Sequence, residues 1–240
     1  DSIADRVSAA LALRLSPSEK QRISRRPTSD AAAYDLFLNG RYYWNRRSSP
    51  GDLRRAIEFY SQAVARDPQF ALAYSGLADA LAVQGVFGVR PPAEVYPQAM
   101  QAAERALELD PDLAEAHATR GHIRLNFRHD WQGALDDYDE AIRHDPRYAG
   151  ARMWRGFWLV FAGRGEEGLA ELQSARDLEP DSLVFAVNHA RALYWTRHYD
   201  AAAEQLARVL EVDPANGLAR TLQASVLVQL GRFDEALQIL

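Results

Sequence analysis

The chain has 240 residues, 48% of them hydrophobic and 25% charged, a composition that suits one or two folded domains and excludes wholesale disorder. It has no cysteine, and Lys20 is the single lysine among 28 basic residues, which excludes disulfide scaffolds, Cys-ligated metals, Cys nucleophiles and most lysine chemistry. A formal charge of −5 argues against a dedicated nucleic-acid binder, and no apolar run approaches the roughly 18 residues that a membrane helix needs.

No signal peptide opens the chain. It begins at Asp1 rather than Met and ends at Leu240 inside a helical pattern, so it reads as a piece of a longer protein whose compartment the sequence leaves open. Residues 1–30 form a segment of their own. Ser2 with Asp5 starts a helix, with Ile3, Val7, Ala10 and Leu11 on one face. Ser16-Pro17-Ser18-Glu19 starts a second: Ser as the cap, Pro at the first helical position, Glu three after the cap. Lys20, Arg22, Arg25 and Arg26 follow; they read as a solvated helix end, where cations suit the helix dipole, in preference to a phosphate or anionic-lipid contact.

From residue 31 onward the chain repeats. An acidic residue precedes proline at Asp67-Pro68, Asp110-Pro111, Asp145-Pro146, Glu179-Pro180 and Asp213-Pro214, at intervals of 43, 35, 34 and 34 residues. Small residues recur inside each unit, at Gly40, Ala78, Gly121, Gly156, Ala190 and Ala224, where two helices must approach closely. The units are 33–70, 71–113, 114–148, 149–182, 183–216 and a shorter 217–240. The first carries about four extra residues around Arg46 to Gly51, the second about nine between Gly85 and Pro97, and the third one; such insertions are expected in loops. Within a unit, apolar residues at i, i+3, i+4 and i+7 make each helix amphipathic; Leu193, Leu206, Val209 and Leu210 are that face in the fifth.

A proline-ended period near 34 with these small residues resembles the tetratricopeptide repeat family. The resemblance covers about 31–240. It implies an all-α, right-handed superhelical solenoid of helix–turn–helix units, because one pair cannot bury its apolar stripe without the next. The last helix would leave an uncapped apolar surface near Leu237 and Leu240. The segment Arg26-Pro27-Thr28 with Ala33-Tyr34-Asp35-Leu36-Phe37-Leu38-Asn39-Gly40-Arg41-Tyr42-Tyr43-Trp44-Asn45 narrows the likeness. Together with His129-Asp130-Trp131 and Leu178 to Leu183, it looks like the array that follows a TolB-like domain in bacterial signalling proteins: serine/threonine kinases, winged-helix transcriptional regulators and cyclase-like proteins. Residues 1–15 would then be the last helix of a preceding domain. No kinase or winged-helix motif lies in the chain itself.

Candidate chemistry is sparse. Gly163-Arg164-Gly165-Glu166-Glu167-Gly168 spells a dinucleotide motif, but it follows a helix rather than a strand and carries two carboxylates that would repel phosphate. His117 and His122 are five apart, about 140° around a helix, and do not form a metal pair. Asp136-Asp137 and Asp139-Glu140 are expected at solvent-facing positions of one helix, not across a cleft. No catalytic residue, cofactor or metal is expected in this chain.

Binding is the expected role. The resemblance implies a concave surface lined by the first helix of each unit. Carried onto this sequence, its positions are Phe37, Arg41 and Trp44, then Asp79, then His122 and Asn126. The fourth unit gives Met153, Phe157 and Phe161, and the fifth Arg191, Tyr194 and Trp195. Aromatic rings with Arg are the composition of interaction hot spots, whereas Trp154 and Trp158 are expected in the core. Phe37 and Arg41 stand where carboxylate-gripping members of the family have Lys and Asn, so a chaperone tail is not expected. The expected function is a protein- or peptide-binding module of a bacterial signalling protein, with no nucleic-acid contact and no membrane insertion. The alternatives are a regulatory or sensory segment of a kinase or transcriptional regulator, and self-association through the C-terminal end.

Overall fold

The computed structural model describes residues 27–46, 50–86 and 88–239, which form twelve α-helices with no strand among them. The helix starts expected at Ser2 and Ser16, the basic cluster and Leu240 lie outside the described residues. In chain order the helices are α1 (Ala31–Arg46), α2 (Pro50–Arg66), α3 (Ala71–Val86), α4 (Pro92–Leu109), α5 (Ala114–Ile123) and α6 (Trp131–His144). They continue as α7 (Ala149–Phe161), α8 (Gly165–Leu178), α9 (Leu183–Trp195), α10 (Tyr199–Val212), α11 (Gly217–Gln229) and α12 (Phe233–Ile239). Consecutive helices pack in pairs, and the second of each pair packs on the first of the next, which makes an all-helical repeat solenoid.

The acid–proline marker is a turn with a physical function. The carbonyls of Asp67, Asp110, Asp145, Glu179 and Asp213 each accept the N–H three residues on, with proline at the second turn position. At the four aspartates the carboxylate also accepts the N–H two residues on, from Gln69, Asp112, Arg147 and Ala215 at 2.9–3.3 Å. Glu179 is one carbon longer and forms no such bond among the described residues.

The turn inside each pair repeats as well. His129, Gly163, Arg197 and Gly231, 34 residues apart, all adopt positive φ (54°, 80°, 67° and 74°). The N–H after the last three bonds back to the carbonyls of Leu159, Leu193 and Leu227, which closes the first helix of each pair. The glycine motif at Gly163–Gly168 is therefore a helix–turn–helix: Gly163 closes α7, Gly165 opens α8, and Arg164 pairs with Glu167 at 2.6 Å.

The insertions differ from expectation. In the second unit α3 has 16 residues and α4 has 18, against 13 and 14 in α9 and α10, so most of the extra chain is helical rather than loop. Val95 and Tyr96, expected in that loop, are buried, because their burial outweighs the freedom a loop would keep. The single extra residue of the third unit is taken up as a π-helical turn over Arg124–Arg128, which widens the end of α5 by one residue before His129 turns the chain.

Small residues set the pair spacing. A Cβ on Gly156 would meet the carbonyl oxygen of Gly168 at 2.9 Å, and one on Gly168 would meet that of Gly156 at 2.7 Å. Backbone thus lies on backbone where α7 crosses α8. Large side chains fill the remaining space, among them Tyr60 and Tyr138, Phe70, Ile123, Leu172 and Leu206.

Candidate functional site

The first helices α1, α3, α5, α7, α9 and α11 touch one another in series, which the second helices do to a lesser extent. In a curved stack the layer with the closer neighbours is the inner one, so the first helices line the concave face.

Along that face the aromatic side chains form one connected run. The His122 ring lies 4.1 Å from Trp154, Trp154 6.0 Å from Phe157, and Phe157 5.5 Å from Trp195. Phe161 stacks 6.4 Å from Phe157 and 5.2 Å from Trp195. The run is buried at its base and open at its top: Phe157 is 3% exposed, Phe161 49% and Trp195 43%. Two features place the open rings. Phe161 and Trp195 are the last residues of α7 and α9, and α7 packs on α9. Phe157, one turn before Phe161, is fixed in a core with Met153, Leu172 and Ala192.

Phe37, His122, Met153 and Phe157, expected on the concave surface, are buried instead. His122, Met153 and Phe157 lie where the next first helix covers them, His122 under Trp154 and Met153 and Phe157 in one core with Ala192, whereas Phe37 is covered by Tyr60 of α2 and by Phe70 of the turn that follows it. Burial pushes the His122 imidazole down to about 4, so it is neutral. Asn126, exposed on the π-helical turn, donates to the carbonyl of His122 at 2.9 Å. Arg41 is exposed with its guanidinium 5.8 Å from the Phe37 ring, Trp44 is half-buried, and Asp79 accepts from the Thr119 hydroxyl at 3.2 Å. These residues of α1 and α3 do not join the ring run of α5, α7 and α9.

Tyr194 turns outward from that run toward Tyr199, 5.8 Å away. Arg191 stands one turn before Trp195 and is half-buried. It has no carboxylate partner among the described residues, and burial lowers its guanidinium below the ordinary arginine range.

The structure gives contacts to groups that the sequence reading left out of the candidate site. Trp154, half-buried, bridges His122 and Phe157 within the run. Trp131 is exposed, and the Trp158 indole donates to its carbonyl at 2.9 Å. Asp137, expected at the surface, is 3% exposed and accepts from Arg120 at 2.6 Å and Arg124 at 2.9 Å. Burial alone would raise its pKa; the hydrogen bonds from Arg120 and the charges of Arg120 and Arg124 more than offset this and hold it below the ordinary aspartate value. His117 and His122 face different neighbours, as their spacing requires. His117 instead meets Glu140 and His144, where α5 packs on α6.

A tetratricopeptide repeat family model matches residues 49–87 and 187–240. The chain is 26% identical over 144 residues to anaphase-promoting complex subunit 3 of Schizosaccharomyces pombe, covering 59% of this chain and 21% of that protein. It is 29% identical over 92 residues to Hsp70-Hsp90 organizing protein 3 of Arabidopsis thaliana, covering 38% of this chain and 15% of that one. The chain thus spans about a fifth or less of the length of these relatives. Among solved structures it is similar to a thermophilic TPR protein of Thermus thermophilus, with a TM-score of 0.65 at 21% identity over 82% of this chain and 100% of that one. It is also similar to PilW, a widely conserved type IV pilus biogenesis factor, with a TM-score of 0.61 at 18% identity over 88% and 91%. These structural likenesses extend the helical-repeat fold over most of the chain.

Proposed function

We propose that this chain is a non-catalytic protein- or peptide-binding module whose ligand lies across α7 and α9, anchored on Phe161 and Trp195. The observation that carries this reading is a pair of half-exposed aromatic rings 5.2 Å apart on the concave face, held from below by the buried ring of Phe157. Rings fixed in advance lose little freedom on binding, and aromatic residues with arginine are the side chains that carry interface energy. Arg191 beside them selects a ligand whose apolar anchor is followed by a carboxylate. At longer range, residues 61–240 carry 26 acidic and 17 basic side chains, so a ligand with basic flanks is steered in faster at low salt.

The name of the Hsp70-Hsp90 organizing protein and that of the anaphase-promoting complex subunit are those of proteins that assemble with others. That is in keeping with a binding role here. The test is a displayed peptide library selected on the protein, with affinities of the selected peptides measured by calorimetry. Losses of about tenfold or more on Trp195→Ala and Phe161→Ala support the site. Binders indifferent to both substitutions overturn it.

Two further settings have support of their own. A place in a signalling or regulatory protein is supported by the resemblance of the segment from Arg26 to Asn45, and sequence upstream of Asp1 tests it: a kinase or winged-helix domain there is expected. Self-association is supported by Phe233 and Leu237, exposed on α12. Sedimentation should show a dimer that Leu237→Arg dissociates, and a monomer at all concentrations refutes this setting.

A further inference from the structure

Away from the aromatic face, three metal-ligating side chains converge at the α5–α6 contact. His117 comes from the first turn of α5, and Glu140 and His144 lie one turn apart at the end of α6. One ligand atom from each lies within 4.8 Å of the other two. The imidazole rings of His117 and His144 stack at 5.4 Å with planes 12° apart.

The neighbours fix both tautomers. His117 Nε2 lies 2.8 Å from the carbonyl oxygen of Pro111, which can only accept, so Nε2 carries the proton and Nδ1 the lone pair. His144 Nε2 lies 2.7 Å from an Arg143 guanidinium nitrogen, which can only donate, so Nε2 carries the lone pair. Its Nδ1–H faces the Asp112 carboxylate at 3.5 Å. Each imidazole is thus oriented by an oxygen on one nitrogen and keeps a lone pair on the other, which now faces an arginine N–H; a protonated nitrogen held by an oxygen is the arrangement found in imidazole ligands of metals. The Arg143 guanidinium also pairs with Glu140, so a cationic group already occupies the point shared by Glu140 and His144. Its side chain is 62% exposed and can swing into water. Arg120 Nη2 lies 3.5 Å from His117 Nδ1 but donates more closely to Asp137, at 2.6 Å, so it gives up the Nδ1 lone pair at small cost; Asp137 Oδ1 lies 3.8 Å from the same nitrogen.

We propose that His117 Nδ1, His144 Nε2 and the Glu140 carboxylate form a three-ligand site for a divalent transition-metal ion, Zn²⁺ foremost, with its remaining position open to water. Two imidazoles and a carboxylate suit Zn²⁺ better than the hard cations Ca²⁺ and Mg²⁺. Bonds of about 2.1 Å at tetrahedral angles put ligand atoms about 3.4 Å apart, so the three must close in by about 1 Å. Glu140, 44% exposed at its side chain, has the freedom to do so. The ion displaces Arg143 and ties α5 to α6.

The test is calorimetric titration of the untagged, metal-free 240-residue protein with Zn²⁺, alongside the visible absorption of added Co²⁺ and the Tm. One Zn²⁺ per chain is expected, with Kd in about the micromolar range, weaker than closed four-ligand sites. Tm should rise with Zn²⁺. His144→Gln and Glu140→Gln, on partly exposed side chains, should each weaken binding more than the about 10–100-fold typical of losing an orienting partner, and Asp112→Asn by about 10-fold. Arg143→Gln should tighten binding, because the competing cation is gone, which a purely structural role for the cluster would not produce. His198→Gln, at an exposed histidine elsewhere, should change nothing. Absence of binding by the unsubstituted protein, or binding that survives His144→Gln and Glu140→Gln, overturns the proposal.

Discussion

Truncating the three clustered rings one at a time separates a ring that holds the fold from rings that hold a ligand. A ring buries about 150–250 Å² when fully covered, worth about 25 cal/mol per Å². Phe157, 3% exposed, keeps nearly all of that, and Phe157→Ala also leaves a cavity among Met153, Leu172 and Ala192. The expected loss is about 3–5 kcal/mol. Phe161 and Trp195 are 49% and 43% exposed, so about half of each ring's area is covered in the free protein. Their area corresponds to at most about 2–3 kcal/mol, and water fills the space left, so about 1–2 kcal/mol is expected for each. Affinity for a peptide bound at the rings should run in the opposite order among the folded variants, with Phe161→Ala and Trp195→Ala losing about 1–4 kcal/mol. Urea unfolding followed by circular dichroism supplies the stabilities, and calorimetry with a display-selected peptide the affinities. Equal destabilisation by all three truncations, with affinity untouched in Phe161→Ala and Trp195→Ala, would refute the division into base and contact surface.

Arg197 adopts the positive φ that Gly163 and Gly231 adopt at the same turn, so Arg197→Gly should stabilise by about 0.5–1 kcal/mol and raise Tm by about 1–4 °C, whereas Gly163→Ala should destabilise by about 1–2 kcal/mol. His122 and His189 are both held near about 4, His122 by burial and His189 by burial with the charge of Arg176. The unfolded chain binds their protons below about 6.5 and the folded chain does not, so stability falls as pH drops from about 6.5 toward 4, by about 2 kcal/mol each at pH 5. Urea titrations at pH 7.5 and 5.0 measure this; His122→Gln and His189→Gln should flatten the slope, and equal stability at both pH values would show that these imidazoles are not neutral in the fold. Asp137→Asn leaves Arg120 and Arg124 without their buried counter-charge and should cost about 3–5 kcal/mol by chemical denaturation, while loss of the exposed Arg164–Glu167 pair through Glu167→Gln should be undetectable.

Much of the solenoid is local chemistry, and local chemistry is legible in a sequence. The aspartate before proline closes its own turn through its carboxylate, and Gly163 and Gly231 close first helices by taking a backbone angle that other residues resist. Gly156 marks a close helix crossing because only a hydrogen fits against the Gly168 carbonyl. Each of these rests on residues a few positions apart or on the size of one side chain, so the period and the all-helical class follow from the string of residues. The concave-face positions are legible only in part. Periodicity places Phe157 and Phe161 on the same face of α7, one turn apart, but the neighbouring helices decide that the first is covered and the second is not.

Caps, turns and small residues act within one unit, so the order of residues specifies the pairing of helices and the period at which pairs stack, but not the added length of α3 and α4, which was expected as loop. Which side chains meet across units and helices depends on how the helices pack. That packing buried Asp137 between two arginines, put Phe161 beside Trp195 from the next pair, turned a one-residue insertion into a π-helical turn, and set His117 against Glu140 and His144. The spacing Glu140 to His144 was visible as one helical turn, but the third ligand comes from a different helix. Its distance depends on how α5 and α6 pack, which the order of residues along either helix does not specify.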